Sequence, residues 1–196
     1  LGEGISDYKV GDEVYGSALV LNGGSGSLAE FAVANVINIA YKSKKTTFLQ
    51  AASLPLVGTS TVQALEEHIK LQKGQKILIH GGAGGIGSIA VQLAKYLNAY
   101  VATTVSTNDI GFVKKLGADR IIDYKKERFD ELLSGFDAVF DTVGGETTNS
   151  SFKVLKKGGI LVSMTGKPDE SLAQKYQVTA IGQNTKTNHY HLSRLA

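Results

Sequence analysis

The residues with the plainest chemistry run His80-Gly81-Gly82-Ala83-Gly84-Gly85-Ile86-Gly87, where Gly82, Gly84 and Gly87 have the spacing G-x-G-x-x-G. A glycine-rich octet alone is a weak signal. Here it follows a buried-strand pattern, Ile77-Leu78-Ile79, and opens a helical one. A sharp strand-to-helix bend needs glycine dihedrals, and a Cβ would hold a ligand away from the backbone. The first N–H groups of the helix have no partner within it and sit at the positive end of its dipole. Such a bend suits the diphosphate bridge of a dinucleotide. A purely structural glycine turn is the alternative.

The next informative position lies ~20 residues on, at the end of the following strand. It reads Thr103-Thr104-Val105-Ser106-Thr107, without an acid. NAD-preferring sites place Asp or Glu there for the ribose 2′-hydroxyl. An acid repels the 2′-phosphate of NADP, whereas hydroxyls donate to it. The stretch leans toward NADPH, although threonines are also simply good strand formers. Lys114, Lys125 and Arg128 are the nearest cations, and each reads as a surface charge.

No metal or nucleophile constellation competes with this site. The absence of cysteine removes disulfides, thiolate metal sites and a cysteine nucleophile. Of the four histidines, His68 lies beside Glu66 and Glu67 and reads as solvent-facing. His80 caps a strand as a packing or hydrogen-bonding residue. His189 and His191 form an H-x-H without a third ligand. Nothing in the sequence forces a catalytic acid or base.

The elements that must position the glycine bend alternate strictly. Ile86, Ile89, Ala90, Leu93, Ala94 and Leu97 make one apolar helix face. Strands are expected at Val101 to Val105, Ile121-Ile122, Ala138 to Phe140, Ile160 to Met164 and Val178 to Ile181. Helices are expected around Phe112 to Leu116, Phe129 to Leu133 and Thr148 to Leu155. This alternation implies an α/β fold, a doubly wound parallel sheet of Rossmann type. Upstream, Val14-Tyr15 and Glu30 to Asn38 read as strand-like material around the loop 22–27. Helical spacing then runs from Phe48 to Leu54, is interrupted by Pro55, and resumes from Val57 to Ile69, ending near Lys73-Gly74.

The chain has 196 residues, 42% hydrophobic and 20% charged, with 23 glycines and a net charge of +3, ordinary values for a globular protein. That charge gives no argument for nucleic acid, and no apolar run approaches the ~20 residues of a membrane span. A cytoplasmic setting is expected. Gly81, Gly85, Ile86 and Gly87 also fit the glycine motif of short-chain dehydrogenases. Those enzymes need a Tyr-x-x-x-Lys pair after the loop, and the one such pair here, Tyr41…Lys45, precedes it.

The chain resembles the medium-chain dehydrogenase/reductase superfamily, in its zinc-free quinone oxidoreductase branch. The resemblance rests on Gly11-Asp12-Glu13-Val14-Tyr15-Gly16, Ala51 to Pro55, Gln63-Ala64-Leu65 and Lys73 to Gly87. It continues through Leu116 to Asp119, Ile122-Asp123-Tyr124, Asp141 to Gly145 and Lys157-Gly158-Gly159. It implies a partial GroES-like catalytic domain over 1–42, linking helices over 43–75 and an NADP-binding Rossmann domain over 76–196. The N-terminal half of the catalytic domain and its C-terminal return segment are expected to be missing. The resemblance implies contacts to NADPH from Gly82, Ala83, Gly84, Gly85 and Ile86 at the diphosphate. Ser106 and Tyr124 would lie by the adenosine and its 2′-phosphate, where relatives commonly keep a lysine or arginine and this chain has Asn108, Asp109 and Ile110. Val143, Gly144, Met164, Thr165, Gly166 and the hydroxyl of Ser60 would lie toward the nicotinamide. The implied activity is zinc-independent, NADPH-dependent reduction of a quinone or an activated C=C bond, with a homodimer plausible for this fold. A nucleotide-binding module without turnover (sensor or structural) and an enoyl-reductase module of a larger synthase are the alternatives.

Overall fold

The computed structural model describes residues 1–196, apart from the side chain of Asn22. It divides into two compact units, one formed by Leu1–Ser60 with Thr185–Ala196 and the other by Thr61–Asn184.

In the first unit, β1 (Val14–Gly16) pairs antiparallel with β2 (Ile39–Tyr41). The helix α1 (Phe48–Ala52) starts with a capping box: the Thr47 hydroxyl accepts from the Gln50 N–H while the Gln50 side chain accepts from the Thr47 N–H. Pro55 does not break a helix. It opens α2 (Pro55–Val62), at the position where its missing N–H costs nothing. Glu30 to Asn38 is not a strand; it runs through bends into a 3-10 turn at Val36–Asn38. Among the described residues no neighbouring strand offers it a ladder, and Phe31 and Val33 stay exposed.

The second unit begins with a π-helical turn, Gln63–His68, so the helical run ends short of Gly74 and leaves His68 half-buried. The parallel sheet then follows: β3 (Lys76–His80), α3 (Gly85–Tyr96), β4 (Tyr100–Val105), α4 (Ile110–Lys115), β5 (Arg120–Asp123), α5 (Phe129–Leu132), β6 (Phe136–Asp141), α6 (Glu146–Ser151), β7 (Leu155–Ser163), α7 (Glu170–Tyr176) and β8 (Thr179–Gly182). The strand order is β5-β4-β3-β6-β7-β8, with every neighbouring pair parallel. The chain winds outward from β3 in one direction and, after the long crossover to β6, in the other. This is the Rossmann arrangement, whose switch point lies between β3 and β6.

Period-two alternation divides the core between the two faces of the sheet. Ile77, Ile79, Ala138 and Phe140 pack with Ala90, Val91 and Ala94 of α3. Leu78, Val139 and Leu161 pack on the other face with Phe152 and Val154, and with Leu172 and Tyr176 of α7. Each fully buried valine, leucine, isoleucine or phenylalanine among them contributes about 1.5–3 kcal/mol. Asn98, in the left-handed region at φ 60°, ends α3, and Gly117 at φ 98° ends α4.

The final helix, α8 (His189–Leu195), returns to the first unit. Its Leu192 is buried with Tyr15, Ala40 and Ala51, and its carbonyl accepts from the Tyr15 hydroxyl at 2.5 Å. The units therefore divide at 60/61 and 184/185, where the sequence reading had placed boundaries at 42/43 and 75/76 and no return segment. The reason is packing: the apolar face of α8 completes the small core of β1, β2 and α1.

Candidate functional site

The glycine bend lies at the carboxyl end of β3, as its spacing requires. Gly81 takes φ 72°, and Gly84 caps α3 with no side chain bonded to the helix N-terminus. The Gly84 N–H donates to the Gly81 carbonyl at 2.9 Å and the Gly82 N–H to the Thr104 carbonyl at 3.1 Å, which folds the bend against β4. Two glycines are needed for contact. A Cβ on Gly82 would overlap the Thr103 hydroxyl, and one on Gly87 would overlap the Gly81 carbonyl. Gly84 instead faces open space, with only the Gly81 carbonyl near its Cβ position, at 3.3 Å.

In front of the bend is a cavity of about 760 Å³, within the size range of a cofactor cleft. Ala83 and Gly84 form one wall, Thr104, Val105 and Ser106 the end of β4, and Thr142 and Val143 the end of β6. It therefore occupies the crevice at the switch point, outside the strand ends. Its far side is made by Asp109, Tyr124 and the segment Glu127 to Asp130.

Of the residues expected at the site, Ala83, Gly84, Ser106, Tyr124 and Val143 line this cavity. Gly85 and Ile86 form the first turn of α3 behind the wall, with Ile86 packed on the core. Gly82 is buried and serves the turn itself. Gly144, Met164, Thr165 and Gly166 gather at the adjoining ends of β6 and β7, where Gly144 packs closely on the Thr165 side chain. Ser60 belongs to the first unit, where its hydroxyl donates to the Leu56 carbonyl at 2.7 Å and stands 2.6 Å from the Thr185 hydroxyl.

Two threonines credited with free hydroxyls do not have them. Thr103 is fully buried and its hydroxyl donates to the Ile79 carbonyl at 2.7 Å. Thr104 is held by His80, 3.0 Å from its Nδ1. His80 is itself fully buried, edge-on to the Phe129 ring at 4.5 Å between centroids. Burial pushes its imidazole down to about 4, partly opposed by the Asp141 carboxylate. Arg128 proves to be a wall residue, with its guanidinium engaged by Asp130 at 3.2 Å and Glu131 at 2.8 Å. The sequence reading missed Phe129, Asp130, Thr142, Thr147 and Ser150 in the wall. The clearest signal for the α5 group was their place after β5, beside the β4 end in a doubly wound order.

The site fits a diphosphate-bearing nucleotide. Amides at a helix start with no side chain bonded to them, an open face at Gly84 and a cleft at the strand ends match what such a ligand needs. Among the described residues no group of three histidines or acids could hold a metal ion, and no helix is long and apolar enough to cross a membrane.

The profile of the zinc-binding dehydrogenase family matches residues 85–188. The chain is 42% identical over 173 residues to a 2-methylene-furan-3-one reductase of Solanum lycopersicum, covering 85% of this chain and 44% of that protein. It is 40% identical over 172 residues to the chloroplastic NADPH-dependent alkenal/one oxidoreductase of Arabidopsis thaliana, again covering 85% and 44%. The solved quinone oxidoreductase from Coxiella burnetii superposes on the whole chain with a TM-score of 0.87 and 34% identity, over 62% of its own length. The chain thus spans less than half the length of these two curated relatives. The chain belongs to the zinc-binding dehydrogenase family and, within the medium-chain dehydrogenase/reductase superfamily, to its quinone-oxidoreductase-like group.

Proposed function

We propose that this chain carries the nucleotide-binding part of an NADPH-dependent reductase acting on a quinone or on the activated C=C bond of an enone. The observation that carries the reading is the open glycine bend at the sheet's switch point, facing a cleft about the size of a cofactor. The names of the tomato and Arabidopsis relatives support the reaction class and, for the second, the cofactor.

The bound nicotinamide supplies the hydride. The protein supplies position and field. The amides of Gly85 and Ile86 would hold the diphosphate, with Gly82, Ala83 and Gly84 shaping the approach, the Gly84 N–H being engaged by the Gly81 carbonyl. Ser106 and Tyr124 border the adenosine. Val143 and Gly144, with Met164, Thr165 and Gly166, border the nicotinamide end. No zinc takes part in this reading, because the sequence offers no cysteine ligand and the hydride needs no metal. Residues 1–196 alone turn over little substrate, since the relatives carry further sequence.

Titration of the reduced cofactors, followed by nicotinamide fluorescence, tests the proposal. Saturable binding is expected, tighter for NADPH than for NADH. Equal or reversed affinities would remove the NADP assignment. Failure of both to bind would remove the nucleotide reading altogether.

A further inference from the structure

The end of β4 lacks an acid in sequence, but the structure puts one there. After Ser106 the chain makes a 3-10 turn, Thr107–Asp109, and the Asp109 N–H donates to the Ser106 carbonyl at 3.0 Å. This turn brings the Asp109 side chain back to the strand end. The Ser106 hydroxyl donates to its Oδ2 at 2.6 Å, and both residues line the cavity with Tyr124. A 2.6 Å O–H···O⁻ contact is a strong, charge-assisted bond, so the serine proton is committed to the carboxylate.

The surrounding charge does not offset this acid. The charged residues of the cavity wall are Asp109, Glu127, Arg128, Asp130 and Glu146. Arg128, the cation among them, is paired with Asp130 and Glu131. A ribose 2′-hydroxyl placed at the end of β4 can donate to Asp109. A 2′-phosphate placed there meets a like charge, and a serine whose proton points elsewhere.

We propose that Asp109 sets the selectivity between the phosphorylated and unphosphorylated nicotinamide cofactors, accepting the ribose 2′-hydroxyl of NADH and opposing the 2′-phosphate of NADPH. The inference rests on the nucleotide reading above and deepens it. The protein takes both cofactors, and its preference for NADPH is held down by this one carboxylate.

The test is Asp109→Asn, which keeps the size of the side chain and an oxygen for Ser106 but removes the charge. NADPH and NADH affinities are measured by fluorescence titration at two salt concentrations, with 2′,5′-ADP and 5′-AMP as probes of the adenosine end alone. Thermal melting checks that the variant is folded, and Asp109→Ser serves as a second variant if it is not. The expected result is a rise of about tenfold in the NADPH-to-NADH affinity ratio, the scale of one unit charge a few ångströms from a phosphate near the surface. The same rise is expected in the ratio of 2′,5′-ADP to 5′-AMP, and it should shrink at high salt. If both cofactors bind but the ratios stay put, Asp109 merely caps the turn after β4. The inference then fails while the proposed function stands. If neither cofactor binds the unaltered protein, both fall together.

Discussion

His80 Nε2 stands 2.9 Å from Ser151 Oγ, tying the last residue of the central strand β3 to the end of α6. The partners fix the proton positions. Ser151 donates its own proton to the Thr147 carbonyl at 2.6 Å, so it accepts from His80, and Nε2 carries the hydrogen. Nδ1 of the neutral ring then accepts from the Thr104 hydroxyl, whose oxygen receives the Gly81 N–H at 3.3 Å. A single directed chain thus runs from α6 to the first residue of the glycine bend.

Replacing His80 by alanine should therefore do more than open a void. It takes away the acceptor of the Thr104 hydroxyl and the donor to Ser151, and so loosens the oxygen that receives the Gly81 N–H. A loss of about 2–4 kcal/mol is expected in urea unfolding. His80→Gln, which can donate and accept, should recover part of it. NADPH affinity should follow the same order, alanine weakest, because the bend loses its anchor.

The same residue makes stability fall in mild acid. Burial, partly opposed by Asp141, pushes the folded-state imidazole down to about 4, whereas an unfolded histidine titrates near ~6.5. Between these values the unfolded chain binds the extra proton. Its contribution is fully present above the unfolded value and is lost as pH falls from about 6.5 toward 4, on the order of 3 kcal/mol in all. Unfolding of the protein and of His80→Gln at pH 7.5 and 4.5 reads this directly, and the variant should show the flatter dependence. Carboxylates held low by their partners, such as Asp130 beside Lys153 and Arg128, add their losses only at lower pH.

The three motif glycines should separate folding from binding. Gly87→Ala sets a methyl against the Gly81 carbonyl, a backbone atom that cannot rotate away, and Gly82→Ala sets one against Thr103. Both should cost about 1–3 kcal/mol and abolish nucleotide binding. Gly84→Ala meets that carbonyl only at 3.3 Å and otherwise projects into open space beside the cavity. It should melt within a few degrees of the parent and still bind NADPH poorly. A full loss of stability there would mean that the open side of the bend is not the ligand's side.

Much of this was legible from local pattern. Ile77-Leu78-Ile79 before the bend and the apolar stripe from Ile86 to Leu97 after it suffice for a strand, a turn and a helix, because their periodicities are set within a dozen residues. The doubly wound parallel sheet also follows from alternation and handedness. The reading failed where a side chain's fate depends on a neighbour distant in sequence. The threonines of β4 looked like free donors, but Thr103 bonds back to β3 and Thr104 to His80. Glu30 to Asn38 had an apolar pattern without a partner strand, and pattern alone does not make a ladder.

Asp141 should govern the far end of the cleft. It is fully buried at the end of β6. Its Oδ1 accepts from the Val143 N–H at 2.9 Å and the Gly144 N–H at 3.1 Å, while Oδ2 accepts the Thr148 hydroxyl. This carboxylate holds the turn in which Gly144 and Gly145 take φ 88° and 62°, and so fixes Val143 in the cavity wall. Asp141→Asn keeps an oxygen for the two amides but sets an NH2 group against Thr148, at a cost of about 1–3 kcal/mol. Because the turn lies on the side assigned to the nicotinamide, affinity for NADPH should fall several-fold while that for 2′,5′-ADP changes little. Calorimetric titration of the two ligands distinguishes the outcomes, and an equal loss for both would place the turn's influence on the diphosphate instead.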